Sequence, residues 1–418
     1  MTGARRRLAL AVLLVAGPAT LLAQAGATAP PQPTSYEITV VTSDTGAHLL
    51  GEVQTGWRLR SVEPVEMRLD SAFRVIRVLV DGKPNTRISR TMYARQGSQV
   101  VVPHEKAPGD TLTTRVRYHG IPRGGFRAGP DRAGARALAG ETAAGRAPLW
   151  LPVPDGQGER VTVVWNVQAS EGQRVVANGT LQAIDTLAYG HSTWHYRLDT
   201  PVPLEGLVVA ADRYVVTTLP RSRCRAPCAS VTLWTPPDDS AAASAGPFRR
   251  AGEMVDYLSG LLGPLPYPGL AHVASVLPPA GRPGASVVLY DGARLHNGGI
   301  DELQVARATA AQWFGNAVSE AGPDAERPSP AVAEYLARLW EAGPGGRGRS
   351  EGPVSRGADA IQRLHRMVGD SAFFRGLRRY LEDNRNATAE PGAFERAMSA
   401  AAGKQLDWSY HRAAGSAR

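Results

Sequence analysis

Lysine is nearly absent from this sequence. It occurs only at positions 83, 106 and 404, although lysine and arginine together number 47. The arginines are scattered and are not interleaved with aromatics, which make up 6% of the chain. A basic track carrying stacking platforms is therefore missing, and the net charge of +9 is not read as a nucleic-acid interface. Cysteine is limited to Cys224 and Cys228. Two cysteines exclude a disulfide-stapled miniature fold, and with no third ligand nearby they do not suggest a metal site. Long apolar runs are missing too. The run 8–22 has fifteen residues, interrupted by Gly17 and Pro18, short of the roughly 20 needed to span a bilayer.

That short run has the form of a signal peptide. Arg5, Arg6 and Arg7 precede it, and Ala23-Gln24-Ala25 and Ala27-Thr28-Ala29 offer small-x-small cleavage sites. We assign 1–25 to a signal peptide and 26–34 to a flexible leader; an uncleaved anchor is the alternative. No cysteine lies at the cleavage site, so lipid attachment is not expected. The implied location is secreted or periplasmic, where a disulfide is permissible. A bridge between Cys224 and Cys228 closes if the chain turns at Ala226 and Pro227; two free thiols are the alternative.

With 418 residues, 43% apolar and 20% charged, the chain has the length and composition for two or three packed domains. Period-2 alternation dominates the first half, as in Tyr36-Glu37-Ile38-Thr39-Val40 and in Phe73–Val80, which ends at the turn signal Asp81-Gly82. Strands are also expected at 99–102, 111–118, 160–167, 173–177, 194–198 and 207–211. The Gly-, Ala- and Arg-rich stretch 119–147 reads as a long loop or insert. Residues 236–247 punctuate the chain, and beyond them the period becomes 3.6. Helices are expected over 248–262, 301–318, 330–340, 358–368, 371–381 and 391–402, the last stopped by Gly403. The expected fold class is α+β in two domains, an antiparallel β-sandwich at 35–219 and a mainly helical domain at 220–418.

Several segments, in order along nearly the whole chain, resemble the gluzincin zinc aminopeptidases of the alanyl aminopeptidase and leukotriene hydrolase type. Trp150-Leu151-Pro152-Val153-Pro154-Asp155 resembles the family's W-F-P-C-x-D run. Val175-Val176-Ala177-Asn178-Gly179-Thr180-Leu181 resembles its V-V-x-N-G-x-L turn, and 193–196 the strand that closes its β domain. Gly263-Pro264-Leu265-Pro266-Tyr267-Pro268 is similar to G-P-Y-P-F-P. Gln312-Trp313-Phe314-Gly315-Asn316 matches the Q-W-F-G-N that follows the zinc motif. Arg356-Gly357, the 369–380 region and Asp407-Trp408 resemble the later helical part. The resemblance implies a saddle-like β domain followed by a thermolysin-like one, and a zinc cofactor.

The zinc motif of that family is H-E-x-x-H followed, eighteen residues on, by a glutamate. Two imidazoles one helical turn apart reach one metal, and the intervening glutamate is the general base for the bound water. Counting back from Gln312, the motif falls on Arg307-Ala308-Thr309-Ala310-Ala311, and the third ligand on Pro330. Arg307 and Ala311 thus replace the histidines, Ala308 the base and Pro330 the glutamate. Tyr335 lands where the family's E-G-x-A-x-Y places its tyrosine, and Ala337 replaces a later glutamate. The G-x-M-E-N strand aligns with Gly284-Ala285-Ser286-Val287-Val288, with Val287 in place of the amine-binding glutamate; Val354 replaces the transition-state tyrosine. Methyl groups and a proline ring have no lone pair for zinc, and neither has a guanidinium.

No other set of residues restores the chemistry. His191 and His195 are four apart on a strand, about 13 Å distant. His296, near Asp301 and Glu302, reads as part of a solvated loop before an acidic first turn. Ser286 has no histidine and carboxylate partners or nucleophile elbow. The expectation is a catalytically inactive aminopeptidase relative, without cofactor, that binds a peptide or protein; an active metallo-aminopeptidase is the alternative. Arg307, Glu334 and Tyr335 are the candidate cleft residues. Arg307 is expected to pair with Glu334, or else to lie exposed and take a peptide carboxylate.

Overall fold

The computed structural model describes residues 29–43, 47–83, 94–154, 159–222, 228–281, 283–320, 327–343 and 354–415. The signal segment 1–25 lies outside them. The first half is strand-rich and the helices come later. A seven-stranded sheet runs in the order Thr180–Thr186, Ser192–Pro203, Arg160–Ala169, Gln32–Thr42, Leu49–Arg58, Thr111–Gly120, Phe73–Val80. Alternation builds it: Tyr36, Ile38 and Val40 face inward, as do Val161, Val163, Trp165 and Val167. The expected leader overlaps this sheet, because its strand begins at Gln32.

Two expectations are corrected here. The sheet is not wholly antiparallel, because Gln32–Thr42 and Arg160–Ala169 run parallel, with Ser35 opposite Thr162. Parallel neighbours need a long crossover, and the intervening chain, folded into further sheets, supplies it. Nor is 119–147 a loop. It contributes strands Phe126–Pro130 and Arg136–Glu141 to a four-stranded sheet with Val208–Asp212 and Arg174–Ala177. This sheet is a middle layer. Leu138, Val175, Ala177 and Val209 join the core of the β half, while Ala139, Val176, Val208 and Ala210 pack against the second half. Burial on both faces removes the polar alternation that marks a strand. It also selects small residues: a Cβ on Gly140 would lie 2.8 Å from Phe126 and 2.9 Å from Trp150.

The second half has a four-stranded sheet in the order Val215–Thr218, Ser230–Thr235, Gly269–Ser275, Val287–Asp291. Its first strand precedes the boundary read at 219/220. Ala271, Val273, Val287 and Leu289 face the middle layer. Leu270, Ala274, Val288 and Tyr290 face the helices. These are α1 (Pro237–Ala245), α2 (Ala251–Leu262), α3 (Gly292–His296), α4 (Glu302–Ala310), α5 (Pro328–Ala342), α6 (Arg356–Val368), α7 (Asp370–Asp383), α8 (Ala393–Ala402) and α9 (Tyr410–Gly415). Helix α1 occupies the stretch read as punctuation; Pro237 suits a first helical turn, as do Asp238 and Asp239. Helix α4 is shorter than the expected 301–318. After Ala310 the chain makes three successive five-residue bonds, from the amides of Asn316, Ala317 and Val318 to the carbonyls of Ala311, Gln312 and Trp313. Gly315, at φ +110°, permits the reversal. Gly403 caps α8 in the left-handed conformation, as its position suggested. Among the described residues, no helix is long and apolar enough to cross a membrane.

Candidate functional site

The two halves meet at the short segment 283–286, just before the strand Val287–Asp291. Four residues from motifs distant in sequence grip it. Gln312 accepts from the Ser286 amide at 2.9 Å and donates to the Gly284 carbonyl at 3.0 Å. Asn316 donates to the carbonyls of Pro283 and Gly284. From the β half, Asn178 donates to the carbonyls of Ala285 and Gly206 and accepts from the Val208 amide. The Gly179 amide donates to Ser286 Oγ at 3.1 Å. Gly179 must be glycine, since a Cβ would stand 2.1 Å from the Arg197 carbonyl oxygen. The side chains of Gln312, Asn178 and Asn316 are at most 1% exposed. Gln312 and Asn178 engage both ends of their buried amides, which fixes one geometry. Ser286 sits at φ +62°, the left-handed region that a serine seldom adopts.

Beside this junction, α4 packs against α5, which brings the two expected ligand segments together. Arg307 is exposed on α4. Ala308 and Ala311 are 7% and 8% exposed, at the edge of the helical core. Pro330 is exposed in the first turn of α5. Val287 is buried, and Val354 is 44% exposed. The expected Arg307–Glu334 pair does not form, because each side chain has a better option. Glu334 accepts from the Ser355 amide at 3.1 Å and lies 3.6 Å from Arg338 Nε. Arg307 is left in solvent, where a guanidinium is well hydrated, and has no recorded partner among the described residues. The resembled aminopeptidases hold zinc, and the residues at 307, 308, 311 and 330 do not fit that metal. They offer one cation, two methyl groups and an imide nitrogen without a free lone pair. Among the described residues, no three His, Cys, Asp or Glu side chains are grouped to hold a metal ion.

Tyr335 is turned into the core. Its hydroxyl donates to His365 Nδ1 at 2.7 Å, and His365 Nε2 lies 2.9 Å from the exposed Asp370. His365 stacks on Phe373 at 4.1 Å and meets Phe374 edge-on. Burial pushes the Tyr335 phenol up to about 12 and draws the His365 imidazole down, Asp370 acting in the opposite sense. Tyr335 therefore serves as a hydrogen-bond donor within an aromatic cluster.

Sequence reasoning missed Glu141. This carboxylate is 2% exposed at the end of the strand Arg136–Glu141, next to Val208. It accepts from the Ala280 amide at 2.7 Å and from Arg146, which also reaches the Pro278 carbonyl. Burial raises its pKa, while Arg146 opposes the shift. Glu141 thus pins the loop before 283–286 to the β half. It lay inside the stretch read as a loop, so no alternation marked it.

The other candidates also find places. His195 bridges Asn166 and Asp185 on the seven-stranded sheet. His296 is not in a free loop; it ends α3 and lies 2.7 Å from the buried Asp239. Cys228 is disulfide-bonded, and Cys224 lies outside the described residues.

No protein-family model matches the sequence, and no curated protein matches it. Solved structures do. An M1 zinc metallopeptidase from Deinococcus radiodurans superposes with a TM-score of 0.70 at 18% identity, over 89% of this chain and 90% of that one. A mutant of the Deinococcus radiodurans M1 zinc metallopeptidase bound to a Tyr-Ser-Ala substrate gives 0.73 at 20% identity, over 92% and 94%. A two-domain M1 zinc metallopeptidase mutant bound to L-tryptophan gives the same values. At this identity the likeness is one of fold: the chain is built on the two-domain plan of the M1 zinc metallopeptidases.

Proposed function

We propose that this protein is an exported, aminopeptidase-like chain without a zinc site, which binds a peptide or protein segment in the cleft between its two halves. In this reading its halves are the saddle-like β domain and the thermolysin-like domain of the gluzincin plan. One observation carries the proposal. The side chains of Asn178, Gln312 and Asn316, with the backbone amide of Gly179, hold the 283–286 junction through hydrogen bonds. The positions assigned to zinc and base chemistry, in contrast, carry Arg307, Ala308, Ala311 and Pro330. A misplaced register would damage both sets alike.

The strand Val287–Asp291 supports binding rather than a purely structural role. It is the last strand of its sheet, paired on one side with Gly269–Ser275. No strand among the described residues pairs with its other edge. A free edge beside a cleft accepts an extended peptide by strand addition, with main-chain hydrogen bonds supplying affinity. Exposed Arg307 stands ready for the peptide's carboxylate. Panning the purified chain against a peptide library tests this. The expected result is recovery of peptides whose binding weakens in Arg307→Ala. Recovery of nothing, or chelator-sensitive release of amino-terminal residues from anilide substrates, contradicts it.

A further inference from the structure

The outer face of the seven-stranded sheet carries a concentration of positive charge that the cleft does not use. On Thr111–Gly120, residues 115, 117 and 119 point outward as Arg115, Arg117 and His119, while Val116 and Tyr118 point inward. On Phe73–Val80, Arg74 is opposite His119 and Arg77 is opposite Arg117. The register shifts between Val75 and Arg77, so that both Ile76 and Arg77 are exposed there. Arg115 lies 3.7 Å from Glu52 and also bonds Gln54. Arg74, Arg77 and Arg117 have no recorded partner among the described residues.

Like charges directly opposite on paired strands weaken the pairing. Charges and a bulge on an edge strand also discourage edge-to-edge association, which would explain Arg74 and Arg77 alone. Arg117 and His119 lie on a strand with neighbours on both sides; there Glu52, opposite Arg117, is one carboxylate against Arg74, Arg77, Arg115 and Arg117, so the patch stays net positive. Two large apolar side chains accompany the arginines: Ile76 is 52% exposed and Ile121 is 51% exposed. Guanidinium groups bind phosphate oxygens in a bidentate manner. Apolar side chains set among them suit the boundary between headgroups and acyl chains.

We propose that this face, formed by Arg74, Ile76, Arg77, Arg117 and Ile121, docks the protein on a membrane surface rich in anionic phospholipid. The binding is peripheral: arginines contact headgroup phosphates, and the isoleucines enter the interfacial layer. It is independent of the cleft.

Co-sedimentation of the full chain with large vesicles tests it, comparing phosphatidylglycerol-containing vesicles with phosphatidylcholine alone. The chain is expected to pellet with the anionic vesicles only. Arg77→Ser/Arg117→Ser should lower partitioning roughly tenfold or more, following the worth of each arginine near such a surface. Arg249→Ser/Arg385→Ser, which removes the same charge elsewhere, should bind as wild type. Ile76→Ser should reduce the binding that persists at high salt. The Arg77→Ser/Arg117→Ser protein should melt close to wild type, since the opposed Arg77–Arg117 pair is lost together with the Glu52–Arg117 pair. Indifference to lipid charge, or equal loss in both double variants, overturns the proposal. So does retention on an acidic polypeptide matrix without vesicle binding, which assigns the face to a protein partner.

Discussion

The carboxamide of Gln312 bridges Ser286, accepting from its amide at 2.9 Å while donating to the Gly284 carbonyl at 3.0 Å. Gln312 follows α4 and Ser286 precedes the edge strand, so one side chain ties the end of that helix to the start of that strand. Truncation should therefore cost stability out of proportion to its size. Gln312→Ala strands a buried amide without its acceptor and weakens the hold on Gly284. A loss of about 2–3 kcal/mol is expected in denaturant unfolding. Arg307→Ala, on α4 and in solvent, should leave the midpoint unchanged. Equal effects of the two would show that the junction is not where the stability resides.

The register assigned to 307–311 and 330 can be tested by restoration. A variant carrying Arg307→His, Ala308→Glu, Ala311→His and Pro330→Glu supplies the full donor set of the resembled motif. Micromolar zinc should raise its melting temperature, because a metal bound by the folded state alone stabilises that state. Wild type should not respond. A variant that folds but ignores zinc would place the motif elsewhere in the chain.

Two buried groups give the stability opposing slopes with pH. His272 is fully buried and bonded to the Tyr290 hydroxyl, and burial pulls its pKa down to about 3. The unfolded chain takes up a proton near 6.5 that the native state refuses, so its contribution falls as pH drops from about 6.5 towards 3. Asp212 behaves in the reverse sense. Burial first, and then Asp131 beside it, push its carboxyl up to about 7. The native state keeps a proton that the unfolded chain loses near 4, so this contribution is present below 4 and is lost as pH rises to about 7. Each slope is about 1.4 kcal/mol per pH unit at most. Asp212→Asn should unmask stability that rises with pH between 4 and 6.5, and His272→Gln stability that falls. Identical pH profiles for the two variants would rule out this assignment.

Ser286 and Gly179 offer a subtler check on the junction. Ser286→Gly relieves a left-handed serine but deletes the oxygen that accepts from the Gly179 amide. Gly179→Ala drives a Cβ into the Arg197 carbonyl. The second substitution should be far more destabilising than the first. The order of the two melting temperatures reads this directly.

Much of this architecture could be read from residues alone. Alternation marked the outer strands because one of their faces meets water: Tyr36, Ile38 and Val40 turn inward between polar neighbours. It failed at 126–141 because Ala137, Ala139 and Gly140 lie in a sheet covered on both sides, where smallness, not polarity, is selected. Helix α4 looked longer than it is because Trp313, Phe314 and Ala317 keep helical spacing through the turn around Gly315. The assignment of the replaced zinc positions rests on their spacing to Gln312. The partners of Arg307 and Glu334 were not, since their choice depends on where Ser355 and Arg338 arrive in space. Glu141 was invisible for the same reason: its contacts lie some 140 residues away in sequence, at Ala280.

The central claim is that positions 307, 308, 311 and 330 present no donors to a divalent cation. Elemental analysis of protein purified mildly in the presence of zinc, then desalted, tests it most directly. The expected result is zinc far below one ion per chain. One tightly held zinc per chain, together with aminopeptidase activity that disappears on chelation, would contradict it.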